Sequence, residues 1–106
     1  MALRDYLNPR EQVSFKSGTA VKHGGKDYQV IVTDRRLILY GRRGIVVKND
    51  DVITERLDNV QEIRYREKGL IGKTGIITIE AMRSIQLMGG ATQMKSIFNS
   101  LLQFVQ

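Results

Sequence analysis

Few residues in this chain stand in arrangements that do chemistry. Gly72-Lys73-Thr74 has the tail of a phosphate-binding loop. Such a loop needs a glycine five residues ahead of the Gly-Lys-Thr and a helix behind it, so that backbone N–H groups can wrap a phosphate. The earlier position holds Glu67, an anion where phosphate would approach, and residues 76–81 alternate like a strand. A hairpin loop fits this stretch; a nucleotide site does not. His23 is the sole histidine, and the chain has no cysteine, so neither a metal-ligand set nor a Cys nucleophile can be assembled around it. No nucleophile elbow is present. Beside Gly24-Gly25, His23 reads as an exposed turn residue. The pair Asp50-Asp51 follows Asn49 and reads as a turn, where Asp is favoured because it bonds its own backbone. The expectation is a protein that is not an enzyme and needs no metal or cofactor.

The remaining chemistry is cationic. Seventeen Lys and Arg stand against 11 Asp and Glu, a formal charge of +6, which favours phospholipid head groups, nucleic acid or an acidic protein as partner. A surface made soluble by lysine and arginine explains the excess equally well. Lys16, Lys22 and Lys26 fall on or beside the polar side of an early hairpin. Arg35, Arg36, Arg42, Arg43 and Lys48 follow with no acidic residue between Arg35 and Lys48. The two arginine pairs sit at opposite ends of one strand, about 20 Å apart at roughly 3.3 Å per residue, so they cannot share a pocket. The candidate anion contacts are Lys22, Lys26, Arg35, Arg36, Arg42 and Arg43. Single-stranded nucleic acid would also need exposed aromatics for stacking. Tyr6, Phe15, Tyr28, Tyr65 and Phe98 fall mostly at core-facing positions, leaving Tyr40 and Phe104, so nucleic acid is disfavoured.

The elements that must position these side chains are short. With 106 residues the chain has material for one domain, residues 1–106, with one modest core. Tyr6 and Leu7 can anchor a lead-in, and Asn8-Pro9 signals a turn. Residues 12–21 alternate, with Val13, Phe15, Ser17, Thr19 and Val21 on one side, and Gly18 marks a bulge or bend. Gly24-Gly25 supplies the positive φ of a primed hairpin turn. That loop sets Val21 opposite Tyr28, Thr19 opposite Val30 and Ser17 opposite Val32, with Lys22 facing Asp27. Further strands are expected at residues 28–33, 36–40, 45–47 resuming at 52–55, 61–67, 76–81 and 84–87. A tight turn is expected at residues 57–60 and a glycine-containing loop at 69–75. Residues 91–106 repeat Met94, Ile97, Phe98, Leu101, Leu102 and Val105 at helical spacing. No run approaches the roughly 20 apolar residues of a spanning helix, and the first residues lack the apolar stretch of a signal peptide. The expected location is the cytoplasm, at most peripheral to a membrane.

About seven antiparallel strands closed by one C-terminal helix resemble a pleckstrin-homology-like domain, and more narrowly the small bacterial and archaeal members akin to GRAM domains. The residues that carry the resemblance are Leu7-Asn8-Pro9-Arg10-Glu11-Gln12-Val13, then Tyr28 to Leu39, Leu57 to Ile63, the hairpin region from Gly72 to Ile79, and the closing helix. Thr33-Asp34-Arg35-Arg36-Leu37-Ile38 is the most telling piece. The resemblance implies a mainly β barrel or roll of two near-orthogonal sheets, with the helix plugging one open end. Ile97, Phe98, Leu101 and Leu102 would then be core. It also implies head-group contacts around the first hairpin, at Lys22 and Lys26. The chain departs from that pattern: its loop is only Gly24-Gly25, too short to wrap a head group, and the lysine run followed by an arginine is missing.

The functional expectation is a non-catalytic binding module for protein partners or for self-assembly. Ile45-Val46-Val47 and Ile85-Gln86-Leu87-Met88 are the candidate open edges, and Met88 with Phe104 a candidate apolar patch. The alternative is peripheral attraction to anionic membranes through the six basic residues above, at roughly 1 kcal/mol for each one close to the surface.

Overall fold

A computed structural model describes residues 6–43 and 49–105; for Arg42, Arg43 and Asn49 it describes the backbone alone. Eight strands and one helix follow in order among the described residues: β1 (Val13–Lys16), β2 (Val21–His23), β3 (Lys26–Thr33), β4 (Arg36–Arg43), β5 (Asn49–Arg56), a 3-10 turn (Leu57–Asn59), β6 (Glu62–Lys68), β7 (Thr74–Glu80), β8 (Ser84–Gly90) and α1 (Ala91–Phe104). All strand pairs are antiparallel, in the spatial order β5-β4-β3-β2-β8-β7-β6, with β1 also lying on β3. Strand β3 is shared. Its first residues pair with β2 and its last with β1, so one sheet (β1, β3, β4, β5) continues into another (β2, β8, β7, β6).

The first hairpin has the expected register at its tip. Val21 faces Tyr28 and Lys22 faces Asp27, with Gly24 and Gly25 at φ 59° and 79°. Away from the tip the expected single strand breaks into two. Lys16 faces Ile31, and Ser17 N–H donates to the Val30 carbonyl, so Ser17 lies beside Val30 and not Val32. Residues 18–20 loop out. The Ser17 hydroxyl stabilises the loop by accepting from Val30 N–H at 3.0 Å and donating to the Thr19 carbonyl at 2.8 Å. A second irregularity at Ser14 turns Val13 outward, where it is 42% exposed. Of the five residues expected to face in, Phe15, Ser17 and Val21 do so, while Val13 and Thr19 do not.

The core is lined by Val30, Val32, Leu37, Leu39, Ile77, Ile79, Ile85 and Leu87 from the strands and by Met94, Ile97, Leu101 and Val105 from the C-terminal segment. Phe98 is half-buried against it, but Leu102 is 41% exposed, against expectation. Leu102 lies about 80° around the helix from Met94. It overhangs the edge of β6 beside Val60 and Ile63, where no further strand among the described residues continues the sheet. Phe104 is displaced about as far the other way and stacks on Phe15 at 6.3 Å between ring centroids. Met88 is elsewhere, facing Lys22 and Ile76 across β8, so the two do not form one patch. Ile31 and Ile38 point to the opposite side of their sheet and are covered there by Leu7, Tyr40 and Val52, which is how the lead-in is anchored.

The edge expectations also change. Residues 85–88 lie in an interior strand, paired with β7 on one side and meeting β2 on the other. Residues 45–47 lie outside the described residues. One end of the strand order is β6, whose outward positions Glu62, Arg64, Arg66 and Lys68 are all charged and exposed, a pattern that discourages edge-to-edge pairing. No helix among the described residues is long and apolar enough to cross a membrane.

Candidate functional site

The six basic candidates separate into three situations. Lys22 pairs with Asp27 at 2.9 Å, with both side chains more than half exposed. Lys26 opens β3 and Arg43 closes β4, so Lys22, Lys26 and the backbone of Arg42 and Arg43 gather at one end of the barrel. The register sets Arg42 beside Asp50 and Arg43 beside Asn49. Arg35 is exposed in the β3–β4 turn, at the other end. Arg36, its neighbour, is committed to Glu11. Glu11 accepts from Arg36 Nε at 2.9 Å, Arg36 Nη2 at 2.7 Å, the Thr33 hydroxyl at 2.6 Å and Asn8 N–H at 3.0 Å. The Arg36 guanidinium, followed by the other donors, holds this buried carboxyl down to about 2. Arg36 is therefore a structural residue that ties the lead-in to β4.

The remaining sequence candidates have structural partners as well. His23 is half-buried, not exposed: Nδ1 donates to the Gln86 carbonyl at 3.0 Å and the ring meets Tyr28 edge-on. Asp50 and Asp51 are in strand β5, not a turn. Asp50 accepts from the hydroxyls of Tyr6 and Tyr40, each at 3.0 Å, and Asp51 accepts from Tyr28 at 2.6 Å. The alternation of a strand sends the two carboxylates to opposite faces. Thr74 of the Gly-Lys-Thr stretch begins β7, and the Lys73 carbonyl accepts from Ala91 N–H at 3.0 Å.

The feature that sequence reasoning passed over is the β6–β7 loop itself. Leu70 and Ile71 are each 97% exposed, more than any other large hydrophobic residue described. Gly69 and Gly72 bracket them with φ values of 102° and 62°, a left-handed backbone that favours glycine on both sides of the tip. Lys68 and Lys73 flank the glycines. The signal was present in the order Lys-Gly-Leu-Ile-Gly-Lys: two adjacent aliphatics in a loop bracketed by glycine have no strand face to fill.

Beneath this tip the chain builds a small polar cluster. Glu67 accepts from Lys95 at 3.0 Å and from the Tyr65 hydroxyl at 2.9 Å, with Lys73 3.9 Å away. Lys95 first, then Tyr65, lower the Glu67 carboxyl below its usual range. Burial and the Glu67 carboxylate push the Tyr65 phenol up to about 12. The helix begins here with Gly90 as its cap and no acidic residue in its first turn. Helix and sheet approach closely because Gly75 has no side chain: a Cβ there would lie 2.6 Å from Met94 Cβ and 2.8 Å from the Tyr65 oxygen. A shallow depression of about 580 Å³ lies between Glu67, Lys73, Lys95 and residues 90–93.

A second open surface is the outward side of β6, β7 and β8. Arg64 is bound to Glu80 at 2.8 Å, whereas Arg66 has no ion-pair partner among the described residues. Two hollows of about 410 and 680 Å³ share Ser84 and Gln86 and form one groove over β8, reaching from Arg64 and Arg66 to Lys22 and His23. No group of three or more His, Cys, Asp or Glu able to hold a metal ion occurs among the described residues.

No protein-family model matches the chain. No curated protein matches it either. Among solved structures, the chain is similar to a pleckstrin homology domain from Shewanella amazonensis SB2B, with a TM-score of 0.68 over 97% of this chain and 91% of that one, at 14% identity. The antiparallel strands, their order and the closing C-terminal helix together give this chain the fold of a pleckstrin-homology-like domain.

Proposed function

We propose that this chain is a non-catalytic binding module that docks through the end of the barrel carrying the β6–β7 loop. The observation that carries the reading is the pair Leu70 and Ile71, held out on a glycine-bracketed tip between two lysines. Exposed apolar side chains in such a place contribute nothing to the core and favour removal from water by a partner. The early hairpin supports a docking role less well. Its tip is two glycines, and Lys22 faces Asp27. The test is a photo-crosslinkable residue in place of Ile71, compared with one in place of Gly25. Crosslinks to protein, lipid or a second copy from position 71 and not from position 25 support the reading, and crosslinks from position 25 alone overturn it.

A protein partner or a second copy of the chain has its best surface in the groove over β8, where Met88 lies between Lys22 and Ile76. Light scattering on a sizing column tests self-assembly. A concentration-dependent mass that Met88→Glu abolishes supports it, and a monomer throughout removes it.

A further inference from the structure

We infer that the groove over β8 takes an extended acidic segment of a partner protein, laid across the strands. Arg66 and Lys22 hold two of its carboxylates, and Met88 meets an apolar residue between them. The inference deepens the second reading above, in which a protein partner uses this groove, and names the partner's chemistry; it does not depend on the β6–β7 tip.

The register builds the site. Arg66 faces Ile76, Ile76 faces Met88, and Met88 faces Lys22, so one row of directly opposed residues crosses β6, β7, β8 and β2. Directly opposed residues share a face of the sheet. Arg66 and Ile76 line one hollow, and Met88 and Lys22 line the other. A cation therefore stands at each end of the row, with two apolar side chains as the floor between them. Ile76 is buried there and Met88 is half-buried. Three strand spacings separate the ends, roughly 14 Å at about 4.8 Å each. An extended chain advances roughly 3.3 Å per residue, so carboxylates about four residues apart reach both cations.

Charge selects the class of partner. Arg66 is exposed and has no ion-pair partner among the described residues. Lys22 holds Asp27, but both side chains are more than half exposed, where an ion pair contributes little, and the ammonium has further N–H groups to donate. Glu62 and Glu80 face each other in a different row and are held by Arg64 at 3.8 and 2.8 Å. Residues 81–106 add no Asp or Glu. Acidic side chains of a partner thus meet complementary charge at both ends of the row. Single-stranded nucleic acid would need exposed rings for stacking. The two rings that border the groove are spent elsewhere, Tyr65 against Phe98 and His23 against Tyr28.

Nuclear magnetic resonance of the isotope-labelled chain tests this, titrated with the end-blocked peptide Glu-Ser-Leu-Ser-Glu. Shifts should gather at residues 64–66, 76–78, 86–88 and 22. Arg66→Gln and Lys22→Gln should each weaken binding roughly fivefold. Arg35→Gln removes the same charge away from the row and should leave binding unchanged. The peptide Ser-Glu-Glu-Leu-Ser, which cannot span the row with its carboxylates, should bind roughly fivefold more weakly. No shifts at millimolar peptide, equal binding of the two peptides, or an Arg35→Gln effect as large as that of Arg66→Gln overturns the inference. Tighter binding of an oligothymidylate of equal charge overturns it too. If the peptide does not bind while the chain shows a concentration-dependent mass that Met88→Glu abolishes, the acidic segment fails and the groove reading stands. If neither is seen, both fail.

Discussion

Arg36 Nη2 lies 2.7 Å from Glu11 Oε1, with a side chain on the acidic partner that is wholly buried. The same nitrogen donates to the Tyr6 carbonyl at 2.6 Å, and the Thr33 hydroxyl joins Glu11 to the turn by accepting from the N–H groups of Arg35 and Arg36. One ion pair therefore fixes the lead-in, the β3–β4 turn and the start of β4. The stretch from Thr33 to Ile38 that carried the family resemblance is explained by this architecture, without a ligand.

Removing one partner of a buried pair leaves the other unsatisfied, so Glu11→Gln should lower stability at pH 7 by about 3 kcal/mol. The folded carboxyl is held at about 2 against an ordinary 4.5, so its contribution is complete above pH 4.5 and is lost as pH falls through about 2. Urea unfolding of both proteins across this range should show the gap at its full size near neutrality and closing toward pH 2.

Gly75 sets how closely the helix crosses β7. Gly75→Ala drives a Cβ into the Met94 Cβ and the Tyr65 oxygen and should cost about 1–3 kcal/mol. Gly89→Ala meets Met94 Sδ at 2.9 Å, the movable end of a flexible side chain, and should cost less than about 1 kcal/mol. Thermal unfolding of the two variants gives the comparison.

Tyr65 should ionise above the ordinary phenol range. Its phenol is raised to about 12 from 10, so the neutral form is favoured in the folded chain. The associated stabilisation is complete below pH 10 and is lost as pH rises through 12. In an ultraviolet phenolate titration, Tyr65→Phe should delete a step near pH 12.

Leu70→Ser with Ile71→Ser should change folding stability by less than about 0.5 kcal/mol, because both side chains are 97% exposed. Urea unfolding checks this. A larger loss would show that the tip packs on the body of the protein.

Elements that local chemistry specifies are readable from the order of residues alone. Gly24-Gly25 and the alternation on either side set the hairpin register, and the spacing from Met94 to Leu101 set the buried face of α1. The charged outward residues of β6 were legible for the same reason: a period of two leaves only one assignment of faces. None of these required knowledge of a distant contact.

What depends on residues far apart in the chain emerges from the packed fold. Glu11 and Arg36 are 25 positions apart, and nothing local says that the arginine is bound rather than free. The exposure of Leu102 follows from where β6 ends as an edge, and the partners of Asp50 and Asp51 from tyrosines on other strands and in the lead-in. The candidate site is of the same kind. Leu70 and Ile71 stand next to each other in sequence, but Lys95 reaches Glu67 beneath their loop only because α1 packs across β6 and β7. Burial and charge pairing are set by that packing, and a linear pattern does not contain it.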